Sequence, residues 1–223
     1  MSNESGAASR GPKNWLALTG LISMALLAVA YALIASIPGA KDSLQTVTAF
    51  YSNPANINRV LAAAYLVPIA GILFLSFIGV LRGRFAPVLE ESEEFEWIVV
   101  NGSAILLLAC LFIAATAAAT PAASTAFLGA PLPNAATVLP FVEIGNILLF
   151  VFAMRAAAAF MIFASRLGLR GRSLPRWLAI AGIVLGLVLL FSISYASALL
   201  FLLPLWVAVL SIYIFLWPRA SVQ

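Results

Sequence analysis

The sequence predicts an all-α polytopic membrane protein, with about six transmembrane helices in one bundle and both termini in the cytoplasm. Three observations carry this. Hydrophobic residues make up 64% of the 223 residues and charged residues only 9%. Apolar runs of about 20 residues, the length of a membrane span, recur along the whole chain. Arginine and lysine concentrate in alternate connections between those runs. A soluble domain usually carries about 25% charged residues to wet its surface. This chain lacks the polar groups to do so, and its solvent is lipid.

Residues 1–14 (MSNESGAASRGPKN) are small and polar, and read as a short cytoplasmic tail. The first span covers about 15–37 and is closed by Pro38-Gly39. It exceeds the apolar core of about 7–15 residues found in a signal peptide, so it reads as a membrane anchor. In the first loop, SLQTVTAFYS has the pattern of a short amphipathic helix on the membrane surface. Asn53-Pro54 follows as an N-cap with proline at the first helical position. The second span covers about 58–81, with Pro68 inside it as an expected kink.

The third span covers about 97–120. The loop after it, PAASTAFLGAPLPNAATVL, carries no charge. It reads as too rich in Pro, Gly and Ala for a regular helix, and is expected to fold back over the membrane. The fourth span covers about 140–164, the fifth 177–194 and the sixth 199–217, with 219–223 as a second cytoplasmic tail. A turn near Ala196 to Ala198 makes an antiparallel hairpin of the last two.

Orientation follows from the loops. With six spans, Arg10, Lys13, Arg82, Arg84, Arg166, Arg170, Arg172, Arg176 and Arg219 share one side, against Lys41 and Arg59 on the other. The richer side is cytoplasmic by the positive-inside rule. Trp15, Trp97, Trp177 and Trp217 all fall at that side, as an aromatic belt requires. The net charge of +4 is thus explained by topology and anionic lipid, and no nucleic-acid partner is expected.

Much chemistry is excluded. The chain has one cysteine, Cys110, and no histidine. An internal disulfide, histidine-ligated haem or zinc, and an imidazole-based triad are ruled out. No span carries the lysine that a retinal Schiff base needs, nor an aspartate. No catalytic residue, metal site or cofactor is expected. Gly182-x-x-x-Gly186 in the fifth span is a helix-packing motif.

The candidate site lies on the fourth span. Ionisable groups at membrane depth are costly and normally face protein or water. Glu143 and Asn146, three residues apart, share a helix face. Arg59, at similar depth on the second span, is placed to pair with Glu143. Together they read either as a site for a ligand, ion or lipid head group, or as a structural ion pair locking two helices. Arg155 is deeper, ~14 Å from the cytoplasmic end of its helix. It either snorkels toward the inner head groups or points into the bundle as an anion site or gating charge. The acidic run Glu90, Glu91, Glu93, Glu94 and Glu96 shares a side with Arg166, Arg170, Arg172 and Arg176. These charges are expected to form a cytoplasmic network tying two connections together.

The stretch AFYSNPANINRVLAAAYLVPIAGILFLSFIGVLRGRF, together with Leu174-Pro175-Arg176-Trp177 and the late Pro204-Leu205-Trp206, resembles uncharacterised bacterial multi-span membrane proteins. The resemblance covers most of the chain and rests on helix-boundary signals. It implies a fold and a bacterial plasma-membrane location, and transfers no catalytic residue.

Two functions follow as expectations. The first is a non-catalytic accessory or scaffold subunit in the lipid bilayer, binding a membrane-protein partner, a second copy of itself, or lipid. The second is a small transporter or lipid-binding carrier that uses Arg59, Glu143, Asn146 and Arg155. A carrier needs a cavity reaching those polar residues, whereas a scaffold needs an apolar face left uncovered by the chain itself.

Overall fold

The computed structural model describes residues 14–39, 42–85, 91–131, 133–192 and 196–217, and every regular element among them is helical. In chain order they are α1 (Leu18–Ile34), α2 (Leu44–Ser52), α3 (Pro54–Phe85), α4 (Glu91–Leu128), α5 (Ala135–Ile147), α6 (Met154–Arg170), α7 (Arg176–Phe191) and α8 (Leu202–Leu216). A π-helical stretch, Leu148–Ala153, joins α5 to α6 in one rod, and 3-10 turns precede α1 and α8.

Five of these segments are long and apolar enough to cross a membrane: Trp15–Ile34, Pro54–Phe85, Glu94–Leu128, Ala136–Arg170 and Ser197–Leu216. The chain is therefore membrane-embedded. The expected fifth span, 177–194, corresponds to α7, which has 16 residues. At helical rise that is ~24 Å, short of the ~30 Å hydrocarbon core.

Cross-contacts show that successive apolar helices alternate in direction once the shorter α7 is counted with the five long segments. At one end, Tyr31 of α1 meets Phe201 just before α8. At the other, Arg84 of α3 lies over Tyr213 of α8 and donates to the Ser173 carbonyl at 3.3 Å. Glu96 at the start of α4 pairs there with Arg166 of α6. The first may be called the α2 end and the second the arginine end.

Small residues set the helix contacts. A methyl group on Gly20 of α1 would run into Ser211 of α8 and Phe77 of α3. One on Gly71 of α3 would strike Phe112 of α4. Gly182 lies against Ser165 of α6 and the Trp206 indole, and Gly186 against Ile162 and the Ala158 carbonyl. The glycine motif of the fifth apolar segment thus packs α7 onto α6. Two buried hydrogen bonds reinforce the bundle: Ser23 Oγ to the Ala70 carbonyl at 2.7 Å, and Trp206 Nε1 to the Leu178 carbonyl at 3.1 Å. Around them sits an aromatic core of Phe74, Phe77, Phe160 and Trp206.

At the α2 end the structure follows the sequence closely. Ser43 caps α2, its hydroxyl accepting from the Thr46 N–H at 3.2 Å. Val47 and Tyr51, four residues apart, form its buried face and join Ile57, Val60, Ala119, Ala122 and Val138 in a second cluster. Asn53 Oδ1 accepts the Ala55 N–H at 2.9 Å, with Pro54 opening α3.

Two expectations are corrected. The loop expected after residue 120 is helical as far as Leu128, with Pro121 inside α4. Alanine is the strongest helix former, and Ala119 and Ala122 are buried, so propensity and packing outweigh one proline. The helix stops at Gly129, whose φ of +63° suits glycine, and Asn134 then caps α5. The tryptophan belt is also incomplete. Trp15, Trp177 and Trp217 are exposed, but Trp97 is buried edge-on against Phe85. Its helix begins at Glu91, earlier than expected, which moves Trp97 off the helix end.

Gly182→Leu is expected to destabilise the bundle by about 1–3 kcal/mol, since Ser165 and Trp206 leave no room. Gly79→Ala, which meets nothing within 4 Å inside α3, is expected to be neutral or to stabilise by up to about 1 kcal/mol. Thermal unfolding of both variants in detergent checks the contrast.

Candidate functional site

The residues expected to form one site do not converge. Arg59, in the second turn of α3, is exposed. Glu143, on α5, is exposed as well. Among the described residues the ion pairs are those of Glu96, so the Arg59–Glu143 pair is not formed. Both lie toward the α2 end, where exposure costs less than a desolvated pair would. Asn146 shares the helix with Glu143 but is half-buried and faces inward.

What Asn146 faces is a half-open cavity of ≈ 320 Å³ bordered by all the long helical segments. Its walls are Leu27, Tyr31 and Ile34 of α1, Leu107, Leu111 and Ala115 of α4, Leu149 and Ala153 of the π-helical stretch, Met154 and Ala157 of α6, Leu189 of α7, and Leu199, Leu200, Phe201, Leu203 and Pro204 around the start of α8. Tyr31 and Asn146 are the polar side chains in the lining, and none of the lining is charged. Alanines on α4 and α6 leave the space open. The sequence reading had no marker for it, since an alanine stripe means close packing when two such faces meet and a hollow when they are held apart.

Arg155 is what holds one wall in place. It sits directly after the π-helical stretch and is only partly buried. Its Nη1 donates to the Phe150 carbonyl, and its Nη2 to the Ser192 carbonyl at 2.7 Å. Ser192 is the C-cap of α7. The side chain therefore reaches toward the α2 end, opposite to the expected snorkelling toward the arginine end. The cause is electrostatic: a helix C-terminus carries partial negative charge on carbonyls that lack intrahelical donors. The guanidinium reaches one such carbonyl, that of Ser192, and with its other nitrogen the Phe150 carbonyl within the π-helical stretch. Arg155 does not line the cavity. It fixes the end of α7, whose Leu189 does.

The expected charge network at the arginine end is narrower than the sequence suggests. Glu96 is buried, and its Oε1 accepts from Arg166 at 3.0 Å and from Arg170 at 3.1 Å. These arginines are one turn apart on α6, so a single carboxylate reaches both. Glu94, Arg172 and Arg176 are exposed and outside this cluster. Glu90 and the side chains of Glu91 and Glu93 lie outside the described residues. Glu96 was legible as different from its neighbours. It falls on the face of Val100, Ser103, Ala104 and Leu107, which α4 turns inward.

Compared with known proteins, the chain matches no protein-family model, no curated protein and no solved structure.

Arg155→Ala is expected to fray the end of α7, seen as faster amide exchange over residues 188–192. Each lost charge-assisted bond costs about 1.5–3 kcal/mol, and Arg155→Lys restores only part of it because lysine lacks the planar fork. Glu96→Gln is expected to cost roughly 1–3 kcal/mol in an unfolding experiment. That is less than for a fully buried pair, because both arginines are nearly half exposed to solvent.

Proposed function

We propose that the protein is a non-catalytic, lipid-binding membrane protein whose interior cavity holds the apolar chain of a lipid. In this reading α7 crosses together with the five longer segments, giving six spans. The arginine end faces the cytoplasm and both termini lie there. Arg82, Arg84, Arg166, Arg170, Arg172 and Arg176 support that orientation, against Arg59 toward the α2 end. The resemblance to bacterial multi-span proteins supports a plasma-membrane location.

The observation that carries the reading is the cavity lining. It is uncharged, with two polar side chains among aliphatic ones. A site for an ion or a charged solute offers convergent charges or dipoles; this one offers surface for dispersion and apolar burial. At ≈ 320 Å³ it sits at the lower bound of ligand pockets, which run about 300–1,000 Å³, so it suits one slender chain. Asn146 and Tyr31 are the groups able to hydrogen-bond a polar position on such a ligand. An accessory or scaffold role would draw on exposed apolar faces such as Ile69 and Ile72 of α3, but lipid covers those equally well.

Native mass spectrometry in a mild detergent tests this. The expected result is a stoichiometric lipid adduct that is lost in Ala115→Leu, which fills the cavity. An adduct that persists unchanged in the variant would remove the cavity as the site. A stoichiometric protein partner with no lipid would favour the accessory role instead.

A further inference from the structure

The interior cavity shares a wall with a second hollow. That hollow, of ≈ 480 Å³, opens on the outside of the bundle between α1 and α8. Leu21, Met24 and Ala25 line it on one side, Leu205 and Ala208 on the other, and no polar side chain takes part. Phe201 and Pro204 line both hollows. The barrier between them is thus one short piece of chain at the start of α8.

This barrier is lightly tied. Phe201 closes a 3-10 turn, Ser197–Phe201, that has no buried residue. The Phe201 ring meets the Tyr31 ring edge to face at 5.5 Å. Phe201 itself is 41% exposed. An edge-to-face aromatic pair is a weak, directional contact that opens by rotation of one ring.

We propose that this wall is a lateral portal, through which the chain of a bilayer lipid passes between α1 and α8 into the cavity, with Phe201 against Tyr31 as its bar. The proposal rests on the cavity being a chain-binding site, as argued above. The route fits the chemistry of its occupant. A chain moving from the outer hollow to the cavity meets no charge, and Tyr31 at the bar and Asn146 within are the polar side chains it passes. The competing route enters from the α2 end beside Gly39, past the membrane surface, and does not involve Phe201.

The test uses the full chain in phosphatidylcholine vesicles and a fatty acid carrying a diazirine at its chain end. Samples are photolysed at intervals, and labelling of Leu111 and Met154 is mapped by mass spectrometry. In Phe201→Ala the labelling is expected to appear about threefold to tenfold faster, the worth of one aromatic edge contact, with the same final extent. Phe201→Tyr, which keeps the ring, is expected to retain the wild-type rate. Phe201→Leu, which removes the ring with less loss of volume, replaces the alanine variant if that one does not fold. Cavity labelling at one rate in all forms, or acceleration in Phe201→Tyr too, overturns the portal and leaves the cavity reading standing. No labelling of the cavity in any form overturns both.

Discussion

In hydrocarbon, a backbone carbonyl or N–H without a partner has no water to turn to, and apolar side chains gain nothing by leaving lipid for one another. The rest of this structure depends on that pair of conditions. The helices must satisfy themselves internally, and they associate only where backbones approach closely or where a polar side chain bridges them. Both devices are visible. Gly20, Gly71, Gly182 and Gly186 mark the close approaches, with neighbouring side chains filling the space that a methyl would need. Ser23, Arg155 and Trp206 each donate to a carbonyl on another helix or at its end.

The same conditions explain where the bundle is not closed. α6 and α7 are drawn together by glycines, and α1 is seated between α3 and α8 by Gly20. Toward the arginine end Trp206 joins these two groups through the Leu178 carbonyl and Phe160, but around the hollow the facing residues are mostly alanine and leucine. The hollow is what remains. Its shape is set at one corner by Arg155, which anchors the end of α7 through Ser192. The π-helical stretch just before Arg155 widens the helix by its looser turn, and its Leu149 and Ala153 face the cavity.

The chain's membrane character was legible in composition, and its local start signals were legible in short motifs. Ser43 and Asn53-Pro54 act as the caps that their residue types indicate, and the amphipathic segment between them is a helix with Val47 and Tyr51 inward. Other features were not legible, for identifiable reasons. The helix through Pro121 was hidden because composition counts Pro and Gly against helix without weighing the alanines that are buried beside them. The Arg59–Glu143 pairing was inferred from depth alone. Depth does not say which way a helix is rotated, and both residues are turned outward. The partner of Arg155 was invisible in principle, because it is a backbone carbonyl and every residue carries one.

The placement of charge bears most directly on function. A bundle with an interior hollow could have aimed its deep arginine into that hollow and made it an anion site. Here the guanidinium is spent on two carbonyls, one at the π-helical stretch and one at the end of α7. Glu96 is matched at the arginine end by Arg166 and Arg170. Glu143 is turned away from the bundle interior. These ionisable groups are therefore either held by carbonyls or an ion pair or directed outward, and the cavity lining is uncharged. Such a lining gives little affinity to a charged solute that must shed a hydration shell to enter, because two polar side chains replace little of the lost water. It sets no such cost on a hydrocarbon chain. If the cavity holds a lipid chain, as proposed, its selectivity would come from what the fold has kept out of it, and Asn146 and Tyr31 would be left to orient the ligand that the apolar walls admit.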